Sequence, residues 1–175
     1  MTTTNLADLY DLPPMEWPTV TGRLDAGFGQ APGSGGPDRH TCWLTTLNAD
    51  GSPHVTGIGA LWAEGAFWFE TGAGTRKGRN VARDPRCALS VALHELDLVV
   101  EGTVEQVTDP AVVAARAAEW ADDWPCEVDA SGIALTAPFS APSAGPPPWQ
   151  VYRIEVRRAT ALATVGDGGA TRWEF

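Results

Sequence analysis

Read by its apolar and polar positions, the chain divides near residue 40. The first 40 residues carry little periodicity, and the spacing over Met15–Leu24, after Pro13-Pro14, predicts one short helix. Ala31–Asp38 (APGSGGPD) has nothing apolar to bury and predicts a flexible joint. From Thr41 the texture becomes that of strands. Thr41–Leu47 is β-branched and aromatic, Asn48–Ser52 is a hairpin turn, His54–Ala63 is a second strand, Glu64-Gly65 a tight turn and Ala66–Thr71 a third strand. These three predict a meander. Thr75–Arg83 predicts a short helix that Asp84-Pro85 stops. Strands follow over Cys87–Leu93 and Leu96–Val107, the latter alternating Leu98, Val100 and Val104 with Glu101, Thr103 and Glu105. Asp109 as N-cap and Pro110 in the first turn open a helix reaching about Trp124, packed through Val113 and Trp120. Residues 125–148 are irregular, Gln150–Val156 is a sixth strand and Thr160–Val165 a seventh.

Six or seven antiparallel strands with short helices and no βαβ rhythm describe a mainly β (α+β) chain and a small β-barrel, whose edges must close or pair. The expected division is an N-terminal arm and flexible segment over 1–40 and a barrel domain over 41–175.

Charge narrows the function. With 12 basic and 22 acidic residues the net charge is −10. That argues against binding nucleic acid or an anionic membrane surface, both of which need surplus cations. No apolar run approaches a membrane span and no signal peptide is evident, so a cytoplasmic location is expected. Cys42, Cys87 and Cys126 are far apart and form no CxxC pair, and His40, His54 and His94 have no metal spacing, so neither a disulfide framework nor a metal site is expected.

Against that acidic background, Arg76, Lys77, Arg79, Arg83 and Arg86 stand within eleven positions, and Lys77 is the one lysine of the chain. They follow a strand and a glycine-rich turn, in Phe67–Pro85 (FWFETGAGTRKGRNVARDP). Thr75, Arg76 and Lys77 fall in the first turn of the predicted helix, where free N–H groups and the helix dipole favour an anion. A solvated helix with cations at its carboxyl end accounts for Arg83 and Arg86, but not for Arg76 and Lys77. The glycine spacing fits neither the dinucleotide fingerprint nor the P-loop. Gly57 and Gly59 clear one face of the second strand, either for a flat ligand or for a bend. The eight tryptophans read mainly as packing, and no nucleophilic triad or paired-carboxylate motif is present.

The run from about His40 to Leu93 resembles the pyridoxamine phosphate oxidase-like flavin and deazaflavin oxidoreductases. Asp50-Gly51-Ser52-Pro53-His54-Val55 is similar to their opening hairpin, and Phe69–Asn80, ending Thr75-Arg76-Lys77-Gly78-Arg79-Asn80, to their phosphate-binding turn, with Asp84-Pro85 leading to the next strand. The resemblance implies a split β-barrel of the FMN-binding type, a homodimer and a cofactor at the subunit interface. The cofactor would be coenzyme F-420 (8-hydroxy-5-deazaflavin) or FMN. It implies that Thr75, Arg76 and Lys77 bind the phosphate, that Asn80 belongs to the same cofactor-binding set, that His54, Val55 and Thr56 border the ring largely through backbone, that Thr71 lies near the ribityl chain, and that Trp149, Arg172 and Trp173 reach the neighbouring subunit's cofactor. The longer basic carboxyl-terminal segment of true pyridoxamine phosphate oxidases has no counterpart after Arg172-Trp173, so oxidation of vitamin B6 is not expected. Hydride transfer to or from a small organic substrate is the expected activity, with no side-chain acid or base catalyst, since the chemistry belongs to the cofactor. The alternatives are a non-catalytic cofactor-binding protein and a haem-binding split barrel.

Overall fold

The computed structural model describes residues 1–31, 39–121 and 123–175. The joint expected over Ala31–Asp38 lies, Ala31 apart, outside the described residues. The elements run β1 (Thr2–Asn5), α1 (Trp17–Asp25), β2 (Cys42–Leu47), β3 (Pro53–Ile58), β4 (Ala60–Ala63), β5 (Ala66–Thr71), α2 (Arg76–Arg83), β6 (Arg86–Ala92), β7 (Leu96–Val107), α3 (Pro110–Trp120), β8 (Glu127–Val128), β9 (Ala134–Thr136), β10 (Trp149–Ala163) and β11 (Ala170–Glu174), with a 3₁₀ turn at Asp8–Tyr10.

The strands form one antiparallel sheet that forks. Its main path is β1-β11-β10-β7-β6-β2-β3. Along β10, residues Gln150–Ile154 pair with β5 on one side and β7 on the other. Past a register break between Val156 and Arg158, β11 takes the place of β5. The break falls where Arg157 and Arg158 are both exposed, as a β-bulge permits. These consecutive charges interrupt the alternation, which is why the sixth and seventh expected strands prove to be one strand of 15 residues. A sheet that divides without closing is a split barrel.

The expected meander is corrected in the same way. The strand expected over His54–Ala63 breaks at Gly59, where a Cβ would lie 2.8 Å from the Trp124 indole nitrogen, so Gly59 makes room for that ring. β4 then pairs with β5, and β5 pairs with β10 instead of β3. β5 is buried on both faces. Phe67 and Phe69 enter the barrel core with Leu44, Leu89 and Ile154, while Ala66 and Trp68 enter a second cluster with Val113, Ala117, Trp120 and Trp149 of α3 and β10. Alternation thus sends one apolar run into two cores. α3 ends at Trp120, short of Trp124, and packs through Val113 and Trp120.

The N-terminal segment belongs to the same sheet, since Thr2–Asn5 pairs with Thr171–Glu174. The predicted helix forms as α1, whose Val20 and Leu24 are buried in the barrel core. Trp17 packs on Trp173 with ring centroids 5.2 Å apart.

Candidate functional site

The glycine-rich turn and α2 form one hydrogen-bonded unit. Thr75 is the N-cap. Its hydroxyl donates to the Gly72 carbonyl at 2.9 Å and accepts from the Gly78 amide at 3.0 Å. The Thr71 hydroxyl lies 2.9 Å from it. A hydroxyl has one proton, so with that proton on Gly72 the buried Thr71 must be the donor to Thr75. A Cβ at Gly78 would meet the Gly72 carbonyl at 2.5 Å, so only glycine lets helix and turn approach this closely.

The other side of α2 is tied to the β2–β3 hairpin. Asn80, buried, donates to the Thr46 hydroxyl at 3.0 Å and to Asn48 Oδ1 at 3.3 Å. Arg83 donates to the Leu47 carbonyl, and Arg86 makes a two-pronged pair with Asp84. These bonds leave Arg76 and Arg79 as exposed cations at the start of the helix, with Arg79 folded back onto the Gly74 carbonyl. The amides of Gly78 and Arg79 are taken by Thr75. Those of Arg76 and Lys77 therefore remain, among the described residues, the first-turn donors of α2 without a helical partner.

Two adjoining clefts lie beside this turn and helix. One, of about 380 Å³, is lined by Gly72–Thr75, Pro146–Pro148 and Gln150. The other, of about 580 Å³, runs along Gly78, Arg79, Ala82 and Arg83 to Gln106 and Tyr152. Ala73 and Gln150 line both. The Gln150 Oε1 is buried with no partner among the described residues.

The structure thus brings together Thr71, Thr75, Arg76, Lys77 and Asn80. His54 and Thr56 share the face of β3 that pairs with Thr46 and Leu44 of β2. Desolvation, then the charges of Arg76 and Lys77, hold the His54 imidazole below its ordinary pKa. Val55 points from the opposite face and is 54% exposed. Trp149 adjoins the cleft, its indole N–H donating to the Gly145 carbonyl at 2.9 Å. Arg172 and Trp173 are elsewhere. Arg172 pairs with Thr160 of β10, whereas Thr71 pairs with Gln150; ten residues of strand put them roughly 33 Å apart. Trp173 is buried against Trp17 within its own chain.

Lys77 differs most from an open cationic anchor. It is 2% exposed, and its ammonium donates to the Ser143 carbonyl in the proline-rich loop. Glu70, on β5, faces it. Burial pushes the Glu70 carboxyl up to about 7, against the opposing pull of Lys77. Desolvation lowers the Lys77 ammonium, opposed by Glu70. Glu70, Ser143 and Gln150 escaped the sequence reading. The available signal was a lone carboxylate, Glu70, closing the apolar run Ala66–Phe69.

An antiparallel split barrel with a glycine-rich turn leading into a threonine-capped helix defines the class, and comparison with known proteins gives the family. The family model described as pyridoxamine 5'-phosphate oxidase matches residues 37–163. The chain belongs to that family. A pyridoxine/pyridoxamine 5'-phosphate oxidase of Verminephrobacter eiseniae (strain EF01-2) is 29% identical over 151 residues, covering 76% of this chain and 71% of the relative. Among solved structures, a conserved hypothetical protein from Mycobacterium tuberculosis aligns with TM-score 0.57 at 20% identity, covering 83% of this chain and 82% of the other. A pyridoxamine 5'-phosphate oxidase-related, FMN-binding protein from Nostoc punctiforme PCC 73102 aligns with TM-score 0.52 at 14% identity, covering 76% and 78%. These structures share the fold. No helix among the described residues is long and apolar enough to cross a membrane.

Proposed function

We propose that this chain is an oxidoreductase that binds coenzyme F-420 or FMN at a homodimer interface and passes hydride between it and a small organic substrate. The observation that carries this reading is the start of α2. Two first-turn amides without a helical partner and the exposed Arg76 guanidinium stand at the end of a glycine-rich turn whose residues Gly72–Thr75 line a cleft, in a chain of net charge −10. Such donors suit a phosphate, and both cofactors carry one. Family membership supports a flavin-type cofactor.

Hydride chemistry is what the ring system supplies when bound. The chain's residues bind and orient it. Arg76 and the amides of Arg76 and Lys77 take the phosphate, Thr75 fixes the turn, and β3 offers its unpaired edge beside His54–Thr56, since it ends the strand order. Desolvation, then the charges of Arg76 and Lys77, favour the neutral form of His54.

The homodimer rests on the outer face of the sheet. Trp43 is 50% exposed and Val99 39%, and both flank Ser90 on neighbouring strands, with Gly57 beside Trp43. A role for Arg172 at the cofactor therefore requires a second copy, since within one chain it pairs ten residues along β10 from the partner of Thr71. The partners are a second copy and a small-molecule substrate, in the cytoplasm.

Titration of the purified protein with FMN and with coenzyme F-420, followed by absorbance, tests the proposal. Saturable binding of one of them, weakened about 10- to 100-fold in Arg76→Ala, is expected from one charge-assisted hydrogen bond. Binding of neither, or equal binding by Arg76→Ala, contradicts it. Turnover of reduced cofactor with electron-poor alkenes, quinones or tetrapyrroles separates an enzyme from a carrier, and sedimentation reads the dimer.

A further inference from the structure

A small cavity of about 100 Å³ opens where residues of the two cores meet, and it shares no lining residue with either cleft beside α2. Four aromatic rings line it: Phe28 after α1, Trp62 on β4, Trp120 at the end of α3 and Trp124 just beyond. Three of them are fixed by neighbours. The Trp62 indole N–H donates to Asp25 at 2.7 Å, and its ring packs edge-on against Phe67 with centroids 4.9 Å apart. Phe28 packs edge-on against His40 at 6.3 Å. Trp124 occupies the space that a Cβ at Gly59 would take. The buried Gln30 clamps the wall, its amide donating to the Ala60 carbonyl and accepting from the Ala60 amide at 3.0 Å. The fourth ring is different. Trp120 is 3% exposed, and its indole nitrogen is buried with no acceptor among the described residues. Buried donors are ordinarily paired, so this N–H is open to an acceptor that a ligand brings to the cavity its ring lines.

Charge names the kind of ligand. The lining holds two carboxylates, Glu119 and Asp123, and no cation among the described residues. The nearby guanidiniums are already held, Arg116 by Glu64 and Glu119 and Arg23 by Glu95. Asp123 is exposed and makes no ion pair among the described residues. Aromatic faces attract a cation, and a free carboxylate at the mouth adds to that attraction. The volume is below the roughly 300–1,000 Å³ of pockets that enclose drug-sized molecules, so only a small head group fits. We propose that this cavity binds a small methylated ammonium ion of the choline type, with the cationic head among the four rings and an oxygen accepting from the Trp120 N–H. The proposal is independent of the cofactor reading, since the two sites have no residue in common.

The test is a titration of the full chain with choline at constant ionic strength, followed by calorimetry and by the tryptophan indole N–H resonances. The Trp120 resonance is the one missing from Trp120→Phe, which keeps a ring and removes the donor. Choline should shift that resonance saturably. Dimethylbutanol, its uncharged carbon isostere, should bind about tenfold or more weakly. Asp123→Asn, a change at an exposed position that leaves the core intact, should weaken choline about threefold or more. Trp120→Phe should weaken choline about 3- to 10-fold, the worth of one hydrogen bond, and leave tetramethylammonium, which has no oxygen, at its wild-type affinity. The proposal is overturned if choline causes no saturable shift of the Trp120 resonance up to about 10 mM. It is overturned equally by a neutral isostere that binds as tightly as choline, or by a Trp120→Phe protein that loses choline and tetramethylammonium alike.

Discussion

Replacing Thr75 by valine removes one oxygen and keeps the shape, so it isolates what the hydroxyl does. Three partners lose it. The Gly78 amide loses the N-cap acceptor, a change that costs typically about 1 kcal/mol. The Thr71 hydroxyl, fully buried, loses its acceptor, and a buried polar group left unpaired costs about 1–3 kcal/mol. The Gly72 carbonyl keeps the Thr75 amide at 3.0 Å and loses little. The sum is about 2–4 kcal/mol. At about 2.1 cal/mol/K of unfolding entropy per residue, the 175 residues carry roughly 0.37 kcal/mol/K, so Tm should fall by about 5–11 °C. Thermal and urea unfolding by circular dichroism measures this, with Thr75→Ser as the control that keeps the hydroxyl and stays close to wild type. A Thr75→Val protein as stable as wild type would refute the assignment of Thr71 as donor and the turn and helix as one unit.

Other outcomes follow from the same geometry. The Glu70 carboxyl titrates near 7 when folded against an ordinary 4.5, so deprotonation disfavours the folded state. Relative to Glu70→Gln, wild-type stability should be highest below about pH 4.5 and fall by about 3 kcal/mol as pH rises through 7, read by unfolding both proteins from pH 4 to 8. Asn80→Ala should cost about 2 kcal/mol by leaving the fully buried Thr46 hydroxyl unpaired, seen as a lower urea midpoint with unchanged slope. Burial pushes the thiols of Cys42 and Cys87 up to about 12 and that of Cys126 to about 11. Iodoacetamide at pH 8 should therefore modify the folded protein slowly and at Cys126 first, whose thiolate fraction is about one part in a thousand; rapid modification of Cys42 would contradict the packing of β2.

The elements legible in the sequence were those with an uninterrupted signal. β7 alternates over Leu96–Glu101 and spans the expected Leu96–Val107, and α3 starts where Asp109-Pro110 places it. Where tertiary structure overrode local pattern, the reading slipped. β8 and β9, at two and three residues, are too short to show a period. β1 has no apolar alternation because Thr2–Asn5 gains its place by edge pairing with β11. The bulge at Arg157-Arg158 hid the unity of β10. At the site, Thr75 as N-cap followed from composition and spacing, because capping is local. The inward turn of Lys77 did not, because it depends on Glu70 and on Ser143, 66 residues further along the chain.

The central claim is that an anionic group of the cofactor is received at the start of α2. The most direct measurement is the affinity of the wild-type protein for FMN and for riboflavin, which differ only by the phosphate, with coenzyme F-420 and its phosphate-free chromophore as the parallel pair. The account predicts that the phosphorylated member of one pair binds at least about tenfold more tightly than its partner, from one or more charge-assisted hydrogen bonds, and that Arg76→Ala erases most of the difference. Equal affinity within both pairs would contradict it.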